Sequence, residues 1–585
     1  LRVAEPLCRI CLLHLAAHKD KDMDEKVNTM TAQSNNKNSV VYEIYVKSFC
    51  DSDGDGLGDL PGITSKLDYL ANLGVDYLWL TPFYPSPQRD NGYDVSDYCS
   101  VDPRYGTMED FDELVAAARE RGMGIMLDMV LCHTSNQHEW FQRALAGEER
   151  YQRYYILRDG KGSMGSGDPG EPPTNWQCVF GGSAWEWEPR LGKWYLHMHD
   201  SSQPDVDWTN PDVRDEMAGV VRFWKERGVT GFRFDVINLI SKPEVIEDVP
   251  GDGSACRALV ADGPHVHEYL KELVERSGID GMATVGEMAS TGLESCIRYT
   301  NPDEHELGMS FSFHHLKVDY KDGSKWRLMD PDIVQLRRVL SEWQEGMQAG
   351  GGCNALFWCN HDQPRAITRF GGTGLEGERG GSWEHVGKML AICSFAMRGA
   401  PYIFQGEELG MTNADYTSIE QFDDVESHNN YRILLEGGSS QEEALRAIQA
   451  RSRDNGRTPM QWTAGENAGF TCGTPWLAVP ANHVRINAED EVGAKGSMYE
   501  FYRELIALRK GSEVLADGTV RFLDTGSGAP KVIAFERVLG SERMVAICSF
   551  DSEGCTVDAD SLGIAVCGDV LLSTHGGVGK LADGA

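Results

Sequence analysis

The 585-residue sequence lacks any apolar run of roughly 20 residues, the length a membrane-crossing helix needs, so no membrane partner is expected. It is short of positive charge. Against 55 lysines and arginines stand 90 aspartates and glutamates, a net charge of −35. Such a surface argues against nucleic acid or an anionic membrane as partner. An anionic substrate would have to be held by a local basic pocket. A cysteine framework is also missing. The 15 cysteines are odd in number, and the only CxxC, Cys8 to Cys11, stands in an unpatterned leader. No spacing suits zinc. The cysteines read as reduced thiols of a cytoplasmic protein. There is no internal repeat and no low-complexity segment. No glycine-rich phosphate turn follows the first strand, which disfavours an open dinucleotide-binding sheet.

What is there is length and rhythm. A chain this long exceeds one compact core and implies several domains. Residues 1–38 read as a leader, disordered or non-native, too polar and short for a membrane span. From Ser39 onward, strand-like runs at 40–49, 75–81, 124–130, 231–236, 283–288, 309–315, 355–362 and 401–406 alternate with helical spacing. One helix is expected over 60–73 and another over 108–121, the second opened by a capping pattern from Thr107 to Asp110. Eight strands separated by helices predict an α/β fold, a (β/α)₈ barrel spanning 39–133 and 208–510. Residues 134–207, rich in Trp, Gly, Tyr and Pro, read as an inserted small domain after strand three. Another polar insertion follows strand eight. Short alternating strands after residue 510 predict an antiparallel β-domain over 511–585.

Barrel enzymes carry their chemistry at the C-terminal ends of the strands. Strand three ends in Asp128 and, after a turn, His133. Strand four carries Arg233 and Asp235, strand five Glu287, and strand seven Asn360, His361 and Asp362. Cleaving an acetal requires one carboxylate at the anomeric carbon and a second carboxylic acid for the leaving oxygen. Arg233 and Asp235, two residues apart, share one face of a strand, so the cation would keep Asp235 ionised as nucleophile. Glu287, between Val285 and Met288, suits a raised pKa and acid/base work. Asp362 would stabilise developing positive charge, and His133 and His361 would donate to sugar hydroxyls. Any one of these residues alone would more often be structural; the set at four strand ends is the signal.

These residues resemble a family. The stretches Asp128–His133, Gly231–Asp235, Val285–Glu287 and Asn360–Arg365 are similar to the four ordered signatures of the α-amylase superfamily, glycoside hydrolase family 13. The run from Gln203 to Asp207, QPDVD, resembles the extra signature of its oligo-1,6-glucosidase branch. The resemblance implies Asp235 as nucleophile, Glu287 as acid/base and Asp362 as stabiliser. It implies sugar contacts from Asp94, His133, Arg233, His361, Arg453 and Gln203. It implies no cofactor for catalysis. One departure stands out: Cys132 occupies the place where the family usually has Asn before its His.

Within the branch, Val236 after the nucleophile resembles enzymes of α-1,6 bonds or of trehalose 6-phosphate. Residues 296–302, 311–320 and 351–360 look most like members that hydrolyse trehalose 6-phosphate to glucose and glucose 6-phosphate. The alternative is an oligo-1,6-glucosidase or dextran glucosidase acting on isomalto-oligosaccharides. A silent amylase-like subunit is disfavoured by the intact carboxylates; transglycosylation or isomerisation stays open as a side activity. A phosphate near −2 charge needs cations, and His314, His315 and Lys317 at the end of strand six are the candidates. Finally, Asp51, Asp53, Asp55, Leu57 and Asp59 stand at alternating positions with glycines between, candidate ligands offering hard oxygens to a structural Ca²⁺ or Mg²⁺. The family resemblance supports one such cation; a solvated acidic turn is the alternative. A monomer or weak oligomer is expected.

Overall fold

The computed structural model describes residues 11–15, 38–163, 165, 167–371, 382–551, 557, 562, 568–574 and 580–581. Its strands are β1 (Cys11–Leu15), β2 (Val41–Ile44), β3 (Tyr77–Leu80), β4 (Gly124–Val130), β5 (Leu157–Arg158), β6 (Trp185–Glu188), β7 (Lys193–Leu196), β8 (Gly231–Asp235), β9 (Ala283–Met288), β10 (Met309–Ser312), β11 (Ala355–Leu356), β12 (Ala400–Phe404), β13 (Thr519–Phe522), β14 (Val532–Leu539), β15 (Glu542–Ser549), β16 (Gly568–Ser573) and β17 (Lys580–Leu581). Eight of them run parallel in the order β10-β9-β8-β4-β3-β2-β12-β11. A parallel bridge between Ser310 and Asn354 brings the two ends of that order together. This is the expected (β/α)₈ barrel.

Alternation along each strand divides its side chains between two cores. On β2, Val41 joins the inner barrel cluster with Trp79, Met126 and Phe311, while Tyr42 and Ile44 pack outward with the helices. On β8, Phe232 and Phe234 are outward and apolar, so Arg233 and Asp235 are inward. The helix Met108–Glu120 opens with the reciprocal Thr107–Asp110 capping box. The helix expected over 60–73 is two, Leu60–Ser65 and Leu67–Leu73, broken at Lys66.

Strands six and seven are shorter than their apolar runs. After Ser312 the chain turns into a 3-10 helix, His314–Lys317. After Leu356 the ladder stops, and at its far end the Asn360 side chain accepts from the Asp362 backbone N–H (2.9 Å).

The 134–207 segment contains the small antiparallel sheet β5-β7-β6. The C-terminal sheet has the order β13-β14-β15-β1-β16-β17. Its fourth member departs, over residues 11–15, from the disorder expected of the leader; residues 1–10 and 16–37 lie outside the described residues. Residues 11–15 pair antiparallel with both β15 and β16. The physical reason is the unpaired backbone that β15 and β16 would otherwise present to each other across a gap.

Candidate active site

The barrel mouth is organised around one guanidinium. Arg233 is buried, and its Nη1 donates to Asp128 Oδ1 (2.7 Å) on the neighbouring β4 and to Asp235 Oδ1 (2.7 Å); Nη2 meets Glu287 Oε2. Asp128 is opposite Arg233 in the β4–β8 register. Its other oxygen accepts from Tyr93 Oη (2.9 Å) and Trp79 Nε1 (3.2 Å). Burial pushes the Asp128 carboxyl up to about 6 against the pull of Arg233. The Arg233 guanidinium also lies over the Trp79 ring at 5.2 Å. Asp235 and Glu287 are thus held on one cation, at the ends of adjacent strands.

The third acid has a different support. The His361 ring is sandwiched between Tyr45 (6.2 Å, 13°) and Tyr93 (5.1 Å, 9°). Its Nδ1 bonds the buried Glu43 carboxylate, and its Nε2 is 3.4 Å from Asp362 Oδ2. Burial alone would lower the His361 pKa; the Asp362 and Glu43 carboxylates outweigh it and raise it to about 9. Burial tends to raise the Asp362 pKa, yet His361, Arg453 and Arg457 hold it well below the ordinary carboxylate value. Arg457 Nη2 is 2.8 Å and Arg453 Nη1 3.4 Å from Asp362 Oδ1.

Arg453 also pairs with Asp424 (2.7 Å) and with Asp90 (2.9 Å). Asp90, not the expected Asp94, lines the cleft. Asp94 is fully buried and consumed within its own loop by Ser86 Oγ, Arg89 N and Asp90 N. Gln203 is likewise corrected. It does not line the cleft but stands behind it, donating to Asp90 Oδ2 (3.1 Å) and touching His133 Nε2 (3.2 Å). Arg233 and His361, also expected as sugar contacts, do not line it either, being buried behind the carboxylates they hold; His133 does line the cleft. Its neighbour Cys132 is buried beside the Lys242–Asp205 ion pair (2.7 Å), with Lys242 Nζ 3.6 Å from the thiol. The bridge between His133 and Asp205 supplies backbone support where Asn is absent.

The cleft, together with the solvent space at its open mouth, spans about 1090 Å³. Asp235, Glu287 and Asp362 line it, and Val236 does so in a left-handed conformation (φ 36°) that a β-branched residue rarely adopts. Of the expected phosphate contacts, only Lys317 reaches this space. His314 stacks on Trp343 (4.6 Å), and His315 Nε2 bonds the Phe357 carbonyl (2.8 Å). Burial lowers both imidazoles to about 4, so neither offers a cation near neutrality. The sequence reading missed Lys325, which lines the cleft beside Lys317 and pairs with Glu426 (2.6 Å). Its only signal was a lysine before Trp326 in a polar loop.

Residues 43–518 match the family described as "Alpha amylase, catalytic domain". The chain belongs to the α-amylase family of glycoside hydrolases. It is 48% identical over 518 residues to a trehalose-6-phosphate hydrolase of Bacillus subtilis (strain 168), covering 88% of this chain and 89% of that protein. It is 42% identical over 527 residues to an oligo-1,6-glucosidase of Bacillus cereus, covering 89% and 91%. Among solved structures, the trehalose-6-phosphate hydrolase of Bacillus licheniformis is 47% identical with a TM-score of 0.81, covering 88% of this chain and 90% of that one.

In this α-amylase family member, oxygens of Asp51, Asp53 and Asp59 lie within 4.8 Å of one another. Asp55 is not in that group; it is exposed and caps the Leu57 N–H (2.8 Å). None of the three has an ion-pair partner among the described residues. Backbone N–H groups of Gly54 and Gly56 serve Asp51, and those of Ser52 and Gly62 serve Asp59. Three converging carboxylates without a side-chain cation fit a hard divalent ion.

Proposed function

We propose that the protein hydrolyses trehalose 6-phosphate to glucose and glucose 6-phosphate with retention. The observation that carries this reading is one cleft lined both by Asp235 and Glu287, which share a guanidinium, and by two lysines. Asp235 attacks the anomeric carbon while Glu287 protonates the glycosidic oxygen, releasing glucose 6-phosphate. Water then attacks the glucosyl ester, and Glu287 takes its proton. Asp362, kept ionised by His361, Arg453 and Arg457, faces the positive charge of the oxocarbenium-like transition state. Asp90, Arg453 and His133 are assigned to the glucose hydroxyls, and Lys317 and Lys325 to the phosphate. The names of the relatives at 48% and 47% identity support the same substrate.

A second reading, hydrolysis of isomalto-oligosaccharides, has its own support. Lys325 is already countered by Glu426, which suits a neutral acceptor sugar. Replacing Lys317 or Lys325 with Ala separates the two. The phosphate reading expects KM for trehalose 6-phosphate to rise far more than KM for an unphosphorylated α-glucoside. Equal changes on both substrates would overturn it. We further propose that Asp51, Asp53 and Asp59 hold a structural Ca²⁺ or Mg²⁺.

A further inference from the structure

Asp319 stands between Lys317 and Tyr320, both of which line the cleft, and is itself buried with two arginines on one carboxylate. Arg369 grips it through Nε (2.8 Å) and Nη2 (2.7 Å). Arg451 grips it through Nη1 and donates from Nη2 to its carbonyl (2.9 Å). Arg369 also bonds the Leu316 carbonyl and Gln363 Oε1 (3.0 Å). Both guanidiniums lie over the Tyr320 ring, at 5.8 and 5.6 Å.

These contacts join three segments. Asp319 follows β10; Arg369 is in the helix Ala366–Gly371 after β11; Arg451 ends the helix Gln441–Arg451 in the insertion after β12. Each segment presents cleft residues close by in sequence: Lys317 and Tyr320, Asp362 and Gln363, and Arg453. Two of these have anchors of their own. Asp362 is held by His361 and Arg457, and Arg453 by Asp424 and Asp90. Lys317 has no ion pair or hydrogen bond from its side chain among the described residues. Its position is therefore set by the backbone of 316–320, which Asp319 fixes.

We propose that Asp319 is a positioning residue for the leaving-group half of the cleft, making the enzyme selective for a phosphorylated leaving group by holding the Lys317 segment. The inference rests on the phosphate reading above. It opposes a simpler electrostatic expectation. Asp319 is an anion near the phosphate side, so neutralising it without moving anything would tighten an anion's binding.

Asp319→Asn distinguishes the two. Steady-state kinetics are measured on trehalose 6-phosphate and on an aryl α-glucoside, with inorganic phosphate as competitive inhibitor. Positioning predicts KM for trehalose 6-phosphate raised about tenfold or more, with a parallel weakening of phosphate inhibition and a change within about twofold on the aryl glucoside. A lowered KM for trehalose 6-phosphate, or equal losses on both substrates, would overturn it. Should that variant not fold, Arg369→Lys keeps the charge but loses the two-pronged grip, and the same split is expected of it. Equal losses in Arg369→Lys would overturn the proposal as well. A wild-type enzyme without preference for the phosphorylated sugar overturns the phosphate reading and this inference together; a preference that both variants retain overturns this inference alone.

Discussion

His361 links Asp362, which lines the cleft, to the barrel interior, since one ring nitrogen meets Glu43 and the other faces Asp362. With its pKa raised to about 9, the ring is an imidazolium at neutral pH. A base whose folded pKa exceeds its unfolded value of about 6.5 contributes its full stabilisation below the latter and loses it as pH rises through the former. The melting temperature of the wild type should therefore fall as pH rises through about 9. His361→Asn should melt lower overall, because it strands Glu43, and should lack that alkaline fall. An unchanged alkaline fall in the variant would show that His361 is not the titrating group. At this scale the reacting acids were legible because strand alternation fixes which side chains face the barrel interior. The choice between Asp90 and Asp94 was not. Asn91 (φ 48°) and Gly92 (φ 105°) reverse the chain between them, and spacing alone does not tell which acid the turn sends outward.

Among elements, the acidic loop 51–59 makes the sharpest demand. Three carboxylates converge, and burial raises the pKa of Asp59, with the Asp51 charge adding to the rise. A bound divalent cation would stabilise the folded state by mass action, roughly 2.7 kcal/mol at one hundred times its dissociation constant. Millimolar Ca²⁺ or Mg²⁺ should raise the melting temperature, a chelator should lower it, and Asp51→Asn should abolish the response. No shift with either ion would count against the site. The eight-strand rhythm was readable because β-branched and aromatic runs alternate with capped helices. The premature ends of β10 and β11 were not readable, since the apolar runs continue past the points where the ladders stop. Nor was β1, a short strand whose partners lie more than 500 residues away.

Across the whole molecule, a net charge of −35 surrounds a cleft assigned to an anionic sugar. Far-field repulsion is screened over about 10 Å at 0.1 M salt, whereas contacts with Lys317 and Lys325 act at shorter range. Raising salt from about 0.01 to about 0.1 M should increase kcat/KM for trehalose 6-phosphate and leave a neutral α-glucoside unchanged. A parallel response of both substrates would remove the charge argument. The most direct test of the central claim is hydrolysis of trehalose 6-phosphate in ¹⁸O-water, with products followed by NMR and mass spectrometry before mutarotation. The account predicts α-glucose carrying the label and unlabelled glucose 6-phosphate, at higher kcat/KM than for trehalose or isomaltose. Initial release of β-glucose, or cleavage of isomaltose with trehalose 6-phosphate left intact, would contradict it.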